Sequence, residues 1–413
     1  MKIGILTYHC VTNFGAQLQT LSTIGYMKKH GYEPVVLNWF PQDLEEFYLN
    51  SHSREQFDEQ FRFAMEQMPV SNLCRTMDEL AAEIDRLQLD SIFLGSDALF
   101  DYTPERNRYA FSFRLMRRVP NNVDLTSNHL LPNPFWGSFG DYLKKQIPYC
   151  GFSISSQNML YSKLNKQEKR EMKRLLNRFV TITVRDKWTQ KMVKCISGRD
   201  DITITPDPVF AFNNNTDFYI KKEDLLAKYN LPENYILISF NKDILQDSFV
   251  NEVIEKIESK TDAVCVSFPM PRKLKKYNTH HYIDLPLPTL DWYYLIKYSK
   301  GYIGELMHPI IVSLHNSVPF YCFDQYGTFK TVIPRLWSQY LPKSSKIYDI
   351  LEQAGFLNNM SPYFHSDNIT TDDVVKRFLD FDKDKCGEFA VEQYSRYEKG
   401  MEKIIMSLKQ NCL

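Results

Sequence analysis

The apolar positions at the start of the chain switch period twice. Ile3, Ile5 and Leu6 make a short run that fits a buried strand. Leu18, Leu21, Ile24 and Met27 then fall at the three-and-four spacing of an amphipathic helix, and Val35-Val36-Leu37 returns to a strand. Lys28-Lys29 and Gly31 close that helix with basic side chains and a glycine just beyond them, the usual C-terminal signals. Thr76-Met77-Asp78-Glu79 has the spacing of a capping box, which opens a helix leading into the strand Ser91–Leu94. A basic helix over Lys163–Arg178 feeds the strand Thr181–Val184, and Ile202–Ile204 runs into the breaker Pro206-Asp207-Pro208. The same alternation restarts near residue 215, with strands at Tyr235–Phe240, Ala263–Phe268, Tyr302–Ile303 and Phe320–Phe323. Helices are predicted between them at Phe249–Ser259, Leu290–Tyr298 and around His308.

Strands alternating with helices imply parallel sheets joined by crossover helices. Two such series predict an α/β protein of two Rossmann-like domains facing a cleft, residues 1–210 and 211–387. An amphipathic helix within 388–413, marked over Val391–Leu408, is expected to pack back on the first domain. Residues 101–148 show no clear period and read as an irregular insert facing the substrate, with Phe135 and Trp136 as rings on which a sugar could stack.

Composition narrows the function classes. The chain has 413 residues, and 50 Lys+Arg balance 50 Asp+Glu, so no global field draws it to nucleic acid or to anionic lipid. No apolar stretch is long enough for a membrane span or a signal peptide, so the expected location is cytoplasmic, with at most peripheral contact at the inner face of a membrane. The 8 cysteines are scattered without a Cys-x-x-Cys pair and read as reduced thiols. His308 and His315 are about 10.5 Å apart along a helix axis, and His280 and His281 are adjacent, so neither pair suits one metal ion. There are only 15 glycines, and neither Gly-x-x-x-x-Gly-Lys nor Gly-x-Gly-x-x-Gly occurs among them. Each glycine at a strand end therefore carries more weight.

In open parallel sheets ligands bind beyond the carboxyl ends of the strands. Four segments of the chain stand there. Asn13 and Gly15 open the first helix, where free N–H groups favour an anion or simply make a tight turn. Gly95-Ser96-Asp97 offers backbone donors, a hydroxyl and a carboxylate, and Asp97 could equally cap the next helix. Val184-Arg185-Asp186 supplies a guanidinium that can grip a carboxylate or phosphate, or pair with Asp186 on the surface. Gly304-Glu305-Leu306-Met307-His308-Pro309 ends a strand and places His308 at a helix N-terminus.

Taken in order, these segments resemble the polysaccharide pyruvyl transferase family. The matching pieces are Asn13-Phe14-Gly15-Ala16-x-Leu18-Gln19, Gly95-Ser96-Asp97, Val184-Arg185-Asp186, Pro206-Asp207-Pro208 and the stretch from His308 to Val318-Pro319-Phe320. The resemblance implies a fold like the two-domain GT-B glycosyltransferases. It also implies transfer of the enolpyruvyl group of phosphoenolpyruvate to a sugar, free of cofactor or metal, giving a pyruvate ketal in surface polysaccharide synthesis. The acceptor would be polymer-bound or polyprenyl-linked, with no nucleic acid involved. Arg185 would hold the carboxylate or phosphate of the donor, and His308 would bind phosphate and serve as candidate acid. Lys330, with Arg335 in reserve, would be a further cation, and Asp97 the base or hydroxyl binder. Asn13, Gly15, Gly95, Ser96 and Glu305 would line the anion and acceptor cleft. Many members carry an arginine two residues before the histidine, where this chain has Leu306. Two alternatives therefore stay open: a GT-B-like transferase using a nucleotide sugar, and a non-catalytic member of the family.

Overall fold

A computed structural model describes residues 1–412 apart from 105–108, 113–116, 121–124, 158, 241–244, 325–344 and 363–368. Nine strands precede residue 205: β1 Lys2–Leu6, β2 Glu33–Trp39, β3 Val70–Cys74, β4 Ser91–Leu94, β5 Tyr109–Ser112, β6 Arg117–Pro120, β7 Tyr149–Ile154, β8 Thr181–Val184 and β9 Thr203–Ile204. Seven of them form one sheet in the order β3-β2-β1-β4-β7-β8-β9, and β5 and β6 form a separate antiparallel pair. Six more, β10 Tyr235–Ser239, β11 Val264–Ser267, β12 His281–Tyr282, β13 Gly301–Gly304, β14 Phe320–Asp324 and β15 Met360–Pro362, form a second sheet in the order β12-β11-β10-β13-β14-β15. Every pairing within the two large sheets is parallel.

Both sheets reverse their winding once, between β1 and β4 in the first and between β10 and β13 in the second. A crevice opens at such a reversal because successive crossover helices leave on opposite faces. The segments that follow β1, β4 and β13 are those carrying Asn13, Asp97 and His308.

The two halves share apolar packing. One buried cluster runs from Ile3 and Phe14 through Phe210, Trp292 and Ile310 to Leu408. Phe14 stacks on Trp292 at 5.0 Å, and Gln56 exchanges hydrogen bonds with the backbone of Leu287 at 2.7 and 3.0 Å. The last helix, Lys383–Asn411, extends beyond its predicted limits and touches both sides. Cys386 meets the carbonyl of Leu314, whereas Tyr397 packs edge-on to Phe152 of β7 and Ser407 bonds to Thr181 of β8.

The insert differs from its sequence reading. Residues 134–141 fold into short 3-10 turns that sink into the core, where Trp136 lies 4.8 Å from Phe100 and Phe135 lies 4.9 Å from Tyr8. Both side chains are buried, at 1% and 0% exposure for Phe135 and Trp136, so neither offers a face to a sugar. Large rings beside a gap between helices gain more from burial than from exposure.

Candidate functional site

A cavity of about 550 Å³ lies between the two sheets, walled by Asn13, Phe14, Gly15, Tyr48, Arg272, Trp292, Glu305 and His308, among others. Four of the sequence candidates therefore line one cavity: Asn13, Gly15, Glu305 and His308. The helix Phe14–Lys29 begins there because Asn13 caps it, its Oδ1 accepting from the N–H groups of Gly15 and Ala16 at 3.1 and 3.4 Å. Those two donors are thus satisfied within the helix and are not open to the anion that the sequence reading expected. From the other side comes the helix Met307–His315, with His308 at its second position. Its ring lies against Gly15 so closely that a Cβ on Gly15 would sit 2.0 Å from Cγ of the imidazole.

Behind His308 stands a buried charged network. Arg185 is only 8% exposed, and its Nη1 donates to Asp207 at 2.6 Å while Nη2 lies 3.7 Å from Asp97. The surface pairing of Arg185 with Asp186 does not occur. Asp186 instead caps the helix Lys187–Ser197, accepting from the Thr189 N–H at 2.7 Å and from the Ser155 hydroxyl at 2.9 Å. Gln19 ties the network to the cleft, its Nε2 lying 2.6 Å from Asp207 and 3.4 Å from Nε2 of His308.

Asp97, 7% exposed, is not on the cavity wall. It follows Gly95, whose φ of +132° and whose Cβ position 2.1 Å from the Phe152 carbonyl leave room only for glycine. Asp97 itself has φ +105°, a conformation a non-glycine residue holds at a cost of about 1–3 kcal/mol. The neighbouring Ser96 is buried too, its carbonyl accepting from the Thr7 hydroxyl at 2.7 Å. Burial by itself raises the Asp97 pKa, but Arg185, His308 and Lys346 outweigh it and hold the carboxyl below its ordinary range. A carboxylate so stabilised is a weak base. It acts here as a partner of Arg185.

His308 titrates below an ordinary histidine, first because burial disfavours the charged ring. Asp207 and Asp97 oppose that, and Arg185 and Lys346 add to it. Sequence reasoning missed Lys346, which opens the helix Lys346–Ala354 and is pushed down to about 8 by burial and by Arg185. It also missed Arg272, an exposed cation on the cavity wall just past the end of β11. A basic pair, Arg272-Lys273, following a strand after two prolines was the available signal. Lys330 and Arg335 lie outside the described residues. Among the described residues no group of three His, Cys, Asp or Glu side chains could hold a metal ion, and no helix is long and apolar enough to cross a membrane.

A family model described as polysaccharide pyruvyl transferase matches residues 13–325. No curated protein matches the chain in sequence. Among solved structures, the UDP-GlcNAc 2-epimerase of Neisseria meningitidis bound to UDP-GlcNAc superposes with a TM-score of 0.54 at 11% identity, covering 100% of each chain. A putative UDP-N-acetylglucosamine 2-epimerase of Listeria monocytogenes gives 0.53 at 11% identity, covering 99% of this chain and 95% of that one. The S. aureus MnaA–UDP structure gives 0.51 at 11% identity, covering 100% and 97%. At such identities the likeness shows the fold alone. It is the GT-B arrangement of two parallel α/β sheets.

Proposed function

The chain belongs to the polysaccharide pyruvyl transferase family, whose model covers residues 13–325, and we propose that it transfers the enolpyruvyl group of phosphoenolpyruvate to a sugar of a surface polysaccharide or its lipid-linked precursor. The observation that carries this reading is the position of His308, on the wall of a 550 Å³ cavity at the reversal points of two facing parallel sheets. That volume suits a small donor together with a sugar ring.

The chemistry asks for charged or polar donors at the donor's carboxylate and phosphate, for an acid that protonates the methylene carbon and recovers its proton from a hydroxyl, and for a base at the attacking hydroxyl. Protonation of the methylene carbon makes the central carbon oxocarbenium-like. One hydroxyl adds, phosphate leaves, and a second hydroxyl closes the ketal. Of the two protons the hydroxyls lose, one ends in the new methyl group and the other leaves on phosphate. His308 meets the phosphate and Arg272 the carboxylate. Glu305, which lines the same cavity, takes the proton of the first hydroxyl. Arg185 and Asp97 hold this constellation from behind.

The test is incubation with phosphoenolpyruvate and a panel of galactosides and mannosamine-containing acceptors. Phosphate release that requires an acceptor, and that is lost in His308→Ala, is expected. Absence of release across the panel, with uridine diphosphate but not phosphoenolpyruvate raising the melting temperature, would reject the proposal for a nucleotide-sugar transferase.

A further inference from the structure

The geometry points to Gln19 as the positioning residue that fixes His308 in its Nδ1–H form, so that a neutral imidazole offers that hydrogen to a phosphate oxygen in the cleft. Gly15 and Gln19 are four residues apart on one helix and so share a face, and both meet the same ring. Gly15 lies against its flat side, and Gln19 reaches its Nε2 edge.

The carboxamide of Gln19 can be oriented in only one way. Asp207 Oδ2 already accepts from Arg185 at 2.6 Å, so the Gln19 atom 2.6 Å from that oxygen must be a donor, which makes it the NH2 group. Turning the amide over would bring its carbonyl oxygen against a carboxylate. The NH2 group carries two hydrogens at a wide angle. One goes to Asp207, which leaves the other for His308 Nε2, 3.4 Å away. A nitrogen that accepts a hydrogen bond carries no proton, so the proton of neutral His308 sits on Nδ1.

The charged groups that act on His308 are Asp207 and Asp97, which favour the imidazolium, and Arg185 and Lys346, which oppose it. They come from the segments after β9, β4 and β8 and from the helix Lys346–Ala354. Burial and the inward N–H of Gln19 tip this balance to the neutral ring. Nδ1 makes no hydrogen bond to the described residues, and the ring borders the cavity. A neutral donor of this kind strengthens its hydrogen bond as charge builds on the leaving phosphate and never needs reprotonation between turnovers. The chemical use of the ring rests on the function proposed above, whereas the tautomer does not.

The tautomer is read directly by long-range ¹H–¹⁵N correlation of the histidine rings in the full-length protein without ligand, the His308 signals being identified by their loss in His308→Asn. The expected pattern at pH 7 is the Nδ1–H form, and Gln19→Glu, which replaces the donor by an anionic acceptor beside the ring, is expected to put a proton on Nε2, as Nε2–H or as the imidazolium. Gln19→Leu should lower kcat roughly 10–100-fold with little change in the KM for phosphoenolpyruvate. An Nε2–H or imidazolium pattern in the unaltered protein overturns the proposal even if neither variant folds. If the pattern is Nδ1–H but phosphoenolpyruvate leaves the Nδ1 resonance unmoved, the phosphate role falls and the assigned tautomer stands.

Discussion

Gly15 and His308 come from opposite halves of the molecule and touch so closely that the smallest side chain would overlap the imidazole, a Cβ on Gly15 falling 2.2 Å from Nδ1. The glycine is helical, so its backbone would accept alanine without strain, and the cost of Gly15→Ala falls on the ring alone. A displacement of about 1 Å at a reacting group can cost on the order of 100-fold in rate. Gly15→Ala is therefore expected to fold with unchanged helix content and to lose about that much in acceptor-dependent phosphate release. A variant as active as the parent would show that His308 does not work from this position.

Arg185 holds two buried carboxylates, Asp207 at 2.6 Å and Asp97 at 3.7 Å, and Arg185→Met would strand both. Removing one partner of a buried pair costs about 3–5 kcal/mol. The folded pKa of Asp97 lies below its ordinary value, so its contribution to stability is full above the unfolded pKa of about 4 and is lost as pH falls through the lower folded value. Urea unfolding of the variant should show the largest deficit near pH 7 and a shrinking one as pH falls below about 4. A deficit independent of pH would mean that packing, and not charge, is what Arg185 supplies.

Arg272 also lines the cavity, exposed and without an ion pair among the described residues. Exposed positions usually tolerate substitution within about 0.5 kcal/mol, so Arg272→Ala should leave thermal unfolding nearly unchanged while raising the KM for phosphoenolpyruvate about tenfold or more. It has an internal reporter. His52 is held at about 4, first by burial and then by Arg272, so removing the guanidinium should raise the His52 pKa in an NMR titration. An unmoved His52 together with an unmoved KM would take Arg272 out of the site.

The parts of this arrangement that the sequence made legible are those set by neighbours in the chain. Asn13, Gly15, Gly95, Glu305 and His308 follow strands whose apolar runs are short and bounded, and the reversal of strand order then brings their ends together. The capping box at Thr76 and Glu79 forms as its spacing predicts. What stayed hidden is set by contacts across long stretches of chain. Nothing near Arg185 reveals that its partner is Asp207, because Asp186 is adjacent and equally acidic. Only β9, leaving beside β8, brings Asp207 under the guanidinium. β7 was missed because Tyr149-Cys150-Gly151-Phe152-Ser153-Ile154 mixes small and polar residues, although it runs through the middle of the sheet, buried along its whole length. Phe135 and Trp136 misled for the opposite reason, since rings in an aperiodic segment look available until the core that surrounds them is known.

Lys346 opens its helix, where the dipole already disfavours a cation, and it is half-buried with no ion pair among the described residues. Burial and then Arg185 push its pKa down to about 8, with Asp97, Asp186 and Asp101 pulling the other way. In the unfolded chain a lysine titrates near 10.4, so between about pH 8 and 10.4 the unfolded state binds more protons at this position than the folded one does. Stability therefore rises with pH through that window, because the folded state sheds a charge it holds poorly. Lys346→Met has no such proton to shed. Unfolding free energies measured side by side at pH 7, 8, 9 and 10 should show the parent gaining on the variant from pH 8 upward. Equal pH dependence in the two proteins would mean that Lys346 keeps an ordinary pKa and that the charges around His308 are balanced without it.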